Sequence, residues 1–368
     1  MKKIGILTLS SSDNCGSLLQ TYALQTYIEK YLGEKVEIID YSFAKSRLMY
    51  DVIPRNFFIH PRDTFFRLMS LKQLNKQKAD YNTFRRKFIH YSEKTFRNEK
   101  ELRTVSGRYE TVICGSDQVW NVLMSDFDHA FFLDWVKSSK KIAYAVSLGG
   151  NRLLDGYNKK QLESIMDSYH AISVREQTGK IQIENVSHKN VTVCLDPTLI
   201  LKKDDWNRIV GAPICNESYI FYYSYAYSDK KLNRIVQQYA EKNGKKVIVI
   251  NASKWYRQRV NEYGFELCED GGPQAFLNLM KYADKVFVQS FHGVIFSYIY
   301  EKDFFFLDDH TDLSLEPRIE SILSLLDMKS RVVRSVDDIV DEHIDYNRDN
   351  DRLNSEKIVS EAFLRENV

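Results

Sequence analysis

Along the first half of the chain, apolar residues fall in short runs separated by stretches where they recur every three or four positions. The runs cover residues 4–9, 36–40, 111–114, 141–146, 171–174 and 191–194, and they predict β-strands. The stretches 17–31, 159–169 and 176–184 carry the helical spacing, and Gly33 follows the first of them as a helix-closing residue. Apolar strands alternating with amphipathic helices predict a mostly parallel sheet covered on both faces.

The alternation resumes beyond residue 200. Strands are expected at 219–223, 246–250, 286–289 and 304–306, with helices at 206–210, 229–243, 272–282, 292–300 and 318–326. Gly272-Pro273 opens one of these helices, with proline at an early position that tolerates its missing donor. The expected fold class is α/β, with two doubly wound Rossmann-like domains facing a cleft. The first would span 1–200 and the second 201–345, and residues 346–368 would form a terminal helix packing back on the first. Residues 42–109 interrupt the first domain. Within them Leu68, Leu71, Leu74, Tyr81, Phe84 and Phe88 stand at roughly helical spacing and predict helices near 62–91.

Composition narrows the class only slightly. The 368 residues are 43% hydrophobic and 28% charged, ordinary for a globular protein. No stretch approaches the ~18 uncharged apolar residues of a membrane-spanning helix. The run after Met1-Lys2-Lys3 is too short for a secretory signal, so a cytoplasmic protein is expected. Cys15, Cys114, Cys194, Cys215 and Cys268 are scattered, without the spacing of a disulfide framework or a zinc knuckle. No metal site and no cofactor are expected.

Charge is less even than the net value of +2 suggests. Residues 45–108 hold 16 Lys/Arg and 6 Asp/Glu, which leaves the remainder at −8. Such a block is either a solvated helical surface or a contact with an acidic sugar polymer or, peripherally, with an anionic membrane at its inner face. Nucleic-acid motifs are absent, so that partner is not expected.

Candidate chemistry collects at the ends of predicted strands, where open α/β sheets bind ligands. Residues 10–17, Ser-Ser-Ser-Asp-Asn-Cys-Gly-Ser, lead into a helix. Asn14 and Gly16 there either let amides approach an anion or simply cap the helix. The spacing is neither a dinucleotide fingerprint nor a P-loop. Ser116, Asp117, Gln118 and Trp120 follow the third strand. Asp117 is placed to orient or deprotonate a sugar hydroxyl and Trp120 to stack on a sugar ring; the alternative is a turn beside a core tryptophan. Arg175 stands where its planar fork clamps a carboxylate or phosphate, with Glu176 beside it, or forms a surface ion pair. In the second half, His292 begins a helix, and its ring type suits proton transfer near neutral pH. Ser290 and the 292–294 amides, Gly293 among them, offer donors to an anion. Lys254, Arg257 and Arg259 form a basic set after the strand at 246–250.

Taken in order, these segments resemble the polysaccharide pyruvyl transferase family. The matching pieces are Asn14-Cys15-Gly16-Ser17-Leu18-Leu19-Gln20-Thr21-Tyr22-Ala23-Leu24-Gln25, Gly115-Ser116-Asp117-Gln118-Val119-Trp120, Ser173-Val174-Arg175-Glu176, Asp196-Pro197-Thr198-Leu199, Gly272-Pro273 and Ser290-Phe291-His292-Gly293. The resemblance implies a glycosyltransferase-B-like fold with the first domain on the acceptor side and the second on the donor side. It implies a transferase that moves the pyruvyl group of phosphoenolpyruvate onto sugar hydroxyls of a surface glycan or its lipid-linked oligosaccharide precursor. A ketal would form and phosphate would leave, as in exopolysaccharide biosynthesis. By the same resemblance His292 is the acid–base group and Arg175 lies at the donor. The better-studied members carry arginine where this chain has Ser290, so Lys254, Arg257 or Arg259 would take over that anchor. The alternative expectations are a glycosyltransferase using a nucleotide-sugar donor and a non-catalytic glycan-binding protein of the same fold.

Overall fold

A computed structural model describes residues 3–52, 61–150, 153, 156–225, 227–309, 315–348 and 350–368. Residues 53–60 of the expected helical insert therefore lie outside the described residues. The chain divides into two units. The first takes Met1–Tyr50, Arg85–Leu201 and Asp351–Val368, and the second takes Asp51–Phe84 and Lys202–Asn350.

The first unit is built on a six-stranded parallel sheet. Its strands are β1 (Lys3–Leu7), β2 (Lys35–Ile38), β3 (Thr111–Asp117), β4 (Lys140–Val146), β5 (Ala171–Val174) and β6 (Val191–Val193), in the order β2-β1-β3-β4-β5-β6. Register is set by apolar pairs such as Ile4↔Val36 and Ile6↔Ile113. Strand β3 is longer than its apolar run because pairing with β4 continues to Asp117↔Val146. Ser116 and Asp117 are thus strand residues and not part of a loop. Gly115 holds a positive φ of 122°, and a Cβ there would lie 2.2 Å from the Tyr144 carbonyl oxygen. The close approach of β3 to β4 therefore requires glycine.

Helix Cys15–Tyr27 leads out of β1 and loosens into a π-helical turn at Ile28–Leu32, which Gly33 ends in the left-handed conformation. Helix Asp351–Asn367 belongs to this unit: Ser360 Oγ accepts from the Leu195 amide at 2.8 Å, and Phe363 lies against Tyr144.

The second unit has its own six-stranded parallel sheet. Its strands are β7 (Tyr219–Tyr223), β8 (Lys246–Val249), β9 (Glu266–Leu267), β10 (Lys285–Val288), β11 (Phe304–Leu307) and β12 (Val332–Val333), in the order β12-β11-β10-β7-β8-β9. Strand order reverses between β7 and β10, as it does between β1 and β3 in the first unit. Two parallel sheets covered by helices make a glycosyltransferase-B-like, doubly wound Rossmann architecture. Helices Pro61–Met69 and Leu71–Phe88 come from the expected insert. No described helix is long and apolar enough to cross a membrane.

Candidate functional site

In each sheet the reversal of strand order opens a crevice beyond the carboxyl ends of two neighbouring strands, the usual ligand position in open α/β sheets. In the first unit these strands are β1 and β3. The serine loop leaving β1 is pinned by a residue far along the chain. Arg85 donates to the carbonyls of Ser10, Ser11 and Ser12 at 3.3, 3.2 and 2.7 Å and pairs with Asp13 at 2.7 Å. Tyr91 adds a bond to the Ser10 carbonyl at 2.9 Å. Asn14 caps helix Cys15–Tyr27 by accepting from the Ser17 amide, and Gly16 is buried in its first turn. The capping reading of this loop accounts for what is seen.

Asp117 is the centre of this crevice. It holds a left-handed φ of 71°, a conformation that aspartate tolerates better than most residues. Ser17 Oγ donates to its Oδ2 at 2.6 Å and the Gln118 amide to its Oδ1 at 2.9 Å. The Arg175 guanidinium stands 3.8 Å from Oδ1 and makes its tighter pair with Asp196, at 2.7 Å. Burial works against the Arg175 charge, but Asp196, then Glu176 and Asp117, more than offset it and hold the guanidinium above its ordinary range. Asp196 in turn accepts from the Thr198 amide and hydroxyl at 3.0 and 2.7 Å. Glu176 accepts from the Ser147 hydroxyl. Buried charge of this density at strand ends is the setting in which catalytic groups are found.

The structure thus brings Asp117 and Arg175 together but changes the expected role of Arg175. Its side chain is only 3% exposed and braces carboxylates of its own unit, so the expected reach to an anionic donor is corrected. Two further expectations fail on burial. Trp120 is fully buried, edge-on to Tyr169, with its indole donating to the Phe131 carbonyl. A ring with no exposed face does not stack on a sugar. Ser116 is also fully buried and donates to the Ala145 carbonyl, while Gln20 accepts from its amide. Gln118 remains partly exposed, with its side-chain Oε1 accepting from Asn121 Nδ2.

Sequence reasoning missed Asp196 and Arg85 as partners and also missed Asp126. The Asp126 carboxyl, on the segment between β3 and β4, is 2% exposed and accepts from Tyr50 Oη at 3.2 Å. Burial raises its pKa above the ordinary range, with Asp117 adding to the shift, while Tyr50 and Lys45 act in the opposite sense.

In the second unit the reversal lies between β7 and β10. Gln289 accepts from Ser224 Oγ at 2.6 Å across it. Ser290 is the N-cap of helix Phe291–Ile299, and its hydroxyl accepts from the Gly293 amide at 2.9 Å. The Val294 amide bonds to the Ser290 carbonyl at 3.1 Å. Two of the three amides expected to face an anion are therefore occupied within the cap, and that expectation is corrected. Gly293 is required for packing, since a Cβ there would lie 2.9 Å from the Val288 side chain. His292 is buried in the same turn, edge-on to Phe291 with ring centroids 5.3 Å apart.

The three members of the basic set have different surroundings. Arg259 is exposed and pairs with Glu262 at 2.8 Å, while Arg257 pairs with Asp63 of helix Pro61–Met69 at 3.0 Å. Lys254 is partly buried in the turn of helix Ala252–Trp255.

Among the described residues, Glu163, Asp167 and His188 are close enough together to hold one metal ion. His188 Nδ1 lies 2.9 Å from Asp167 and 3.7 Å from Glu163, and the pairing lowers the Asp167 pKa and raises that of His188. The cluster precedes β5 and β6, at the amino ends of the strands and on the opposite side of the sheet from the crevice.

Comparison with known proteins gives three results. The family model described as polysaccharide pyruvyl transferase matches residues 14–311. No curated protein matches. Among solved structures, the chain is similar to UDP-GlcNAc 2-epimerase from Neisseria meningitidis bound to UDP-GlcNAc, at 12% identity, 99% and 100% coverage of the two chains and a TM-score of 0.52. It is similar to the Methanocaldococcus jannaschii UDP-GlcNAc 2-epimerase in complex with UDP-GlcNAc and UDP, at 12% identity, 100% and 99% coverage and a TM-score of 0.51. The corresponding values for the Rickettsia bellii UDP-N-acetylglucosamine 2-epimerase are 12%, 99% and 95%, and 0.54. These three solved structures are epimerases and not pyruvyl transferases. That finding overturns phosphoenolpyruvate as the expected donor and partner, and with it pyruvyl transfer and the exopolysaccharide role.

Proposed function

The chain belongs to the polysaccharide pyruvyl transferase family, and we propose that this member is an enzyme acting on a nucleoside-diphosphate sugar. The observation that carries this reading is the correspondence, over nearly the whole of both chains, with epimerases that hold UDP-GlcNAc. Polar side chains at the strand-order reversal of each sheet, taken by itself, agree with it, because open α/β sheets bind ligands at such a position.

His292 is the proposed proton-transfer residue, since its ring type exchanges protons near neutral pH. Asp117, oriented by Ser17 and Arg175, is the proposed partner of a sugar hydroxyl. Asn14 and Gln118, both partly exposed beside it, are proposed sugar contacts.

Calorimetric titration with UDP-GlcNAc and a panel of other nucleoside-diphosphate sugars is expected to show saturable binding, with conversion of the bound sugar followed by NMR. Failure of every member of the panel to bind overturns the reading. His292→Ala is expected to lower turnover by at least ~100-fold while binding is retained.

A further inference from the structure

Part of the basic block at 45–108, residues Asp51–Phe84, belongs to the second unit. Helix Leu71–Phe88 fastens the insert to the carboxyl ends of β8 and β9. Gln77 donates to the Ile250 carbonyl at 3.0 Å, Lys76 pairs with Asp270 at 2.8 Å, and Asp80 accepts from the Gly271 amide at 2.8 Å. The preceding helix, Pro61–Met69, then lies along the segment that follows β8. Asp63 on this helix pairs with Arg257 at 3.0 Å. Arg67, one turn further on, is fixed by donating to the Asp51 and Val52 carbonyls at 2.9 and 3.0 Å.

Arg257 thus pairs with Asp63, Arg67 stands one turn along the same helix from Asp63, and Lys254, in helix Ala252–Trp255, lies three residues before Arg257. The Lys254 ammonium is destabilised first by burial, then by Arg257 and Arg67, with Asp63 opposing. Arg67 is disfavoured first by burial and also by Arg257, again with Asp63 opposing. Lys254 and Arg67 are partly buried, where water screens like charges less than at the surface, while Arg257 is exposed beside them. An excess of two positive charges, made of two planar guanidinium forks and an ammonium, is suited to a dianion with several oxygens.

The geometry points to a phosphate-binding site in the second unit, formed by Arg67, Lys254 and Arg257, that takes the diphosphate of the nucleotide sugar. Naming the nucleotide sugar as the source of that diphosphate rests on the functional reading above. The site explains why helix Phe291–Ile299 needs no open amides for the anion: the charge is met by side chains at β8. It also gives the insert a ligand-binding role.

The test is titration of the full-length protein with inorganic pyrophosphate and, separately, with UDP-GlcNAc. Lys254→Gln is expected to weaken both by at least ~10-fold, as loss of a charge-assisted hydrogen bond implies, while Lys254→Arg restores binding. Binding at alkaline pH is expected to take up protons, because the anion returns Lys254 to its charged form against Arg67 and Arg257 and alongside Asp63. Comparing heats in buffers of different ionisation enthalpy measures that uptake. If UDP-GlcNAc binds wild type and Lys254→Gln equally, the site is overturned and the functional reading stands. If pyrophosphate binding depends on Lys254 while no nucleotide sugar binds, the site stands and the functional reading falls. If neither pyrophosphate nor any nucleotide sugar of the panel binds the wild-type protein, both are overturned.

Discussion

The two strand-order reversals use the same topology and opposite electrostatics. Between β1 and β3 the charges are buried and matched within the unit: Arg175 faces Asp196 and Asp117, and Arg85 faces Asp13. Between β7 and β10 the polar groups are mostly neutral, with Ser224 bonded to Gln289 and Ser290 bonded to Gly293. In the second unit a local excess of positive charge lies after β8, where Arg67, Lys254 and Arg257 outnumber Asp63. A buried ion pair is costly to break and gains little from a ligand, whereas a cation excess gains much from one. On the proposed reading, the contrast separates a first crevice suited to hydroxyl recognition from a second unit suited to an anion.

The most severe way to break this comparison is Asp196→Ala. It leaves the Arg175 guanidinium buried beside a missing partner and removes a helix cap, and the expected loss is ~3–5 kcal/mol in urea unfolding. The matching change in the second unit, Ser290→Ala, removes a neutral cap and is expected to cost only ~1 kcal/mol by the same measurement. Equal costs for the two variants would erase the proposed difference between the crevices.

Asp126→Asn sharpens the comparison by the smallest effect. The folded-state pKa of Asp126 is raised above its unfolded value, chiefly by burial. Its stabilising contribution is therefore complete below the unfolded carboxylate range and is lost as pH rises through the folded value. The asparagine variant lacks this loss. Its stability relative to wild type is expected to grow with pH across that window and then level off, as read from unfolding midpoints at a series of pH values. A flat difference would mean that Asp126 is charged in the folded protein throughout.

Much of the architecture was legible because parallel strands buried on both faces read as apolar runs. The expected strand at 171–174 and the helix beginning at Gly272 coincide with β5 and helix Gly272–Tyr282. The two-residue strands β9 and β12 were not, since a pair such as Val332–Val333 carries no period. Nor was the π-helical turn at Ile28–Leu32, where apolar spacing continues through a change in hydrogen bonding. The candidate site was legible in its residue types more than in their roles. Asp117 and Arg175 were both singled out, but the pairing of Arg175 with Asp196 spans 21 residues and exists only through tertiary structure. Arg85 reaches the serine loop from 73 residues away at Ser12. Trp120 shows the opposite difficulty, because an aromatic residue after a polar turn reads the same whether it faces ligand or core.

The division of the chain bears on its synthesis. The path leaves the first unit after Tyr50, returns at Arg85, leaves again after Leu201 and comes back only at Asp351. An emerging polypeptide cannot finish that unit in order. The Leu195 amide waits for the hydroxyl of Ser360, which the ribosome adds 165 residues later. Until then the β6 side of the first sheet stands without its covering helix, and the second unit has time to assemble before the first is closed.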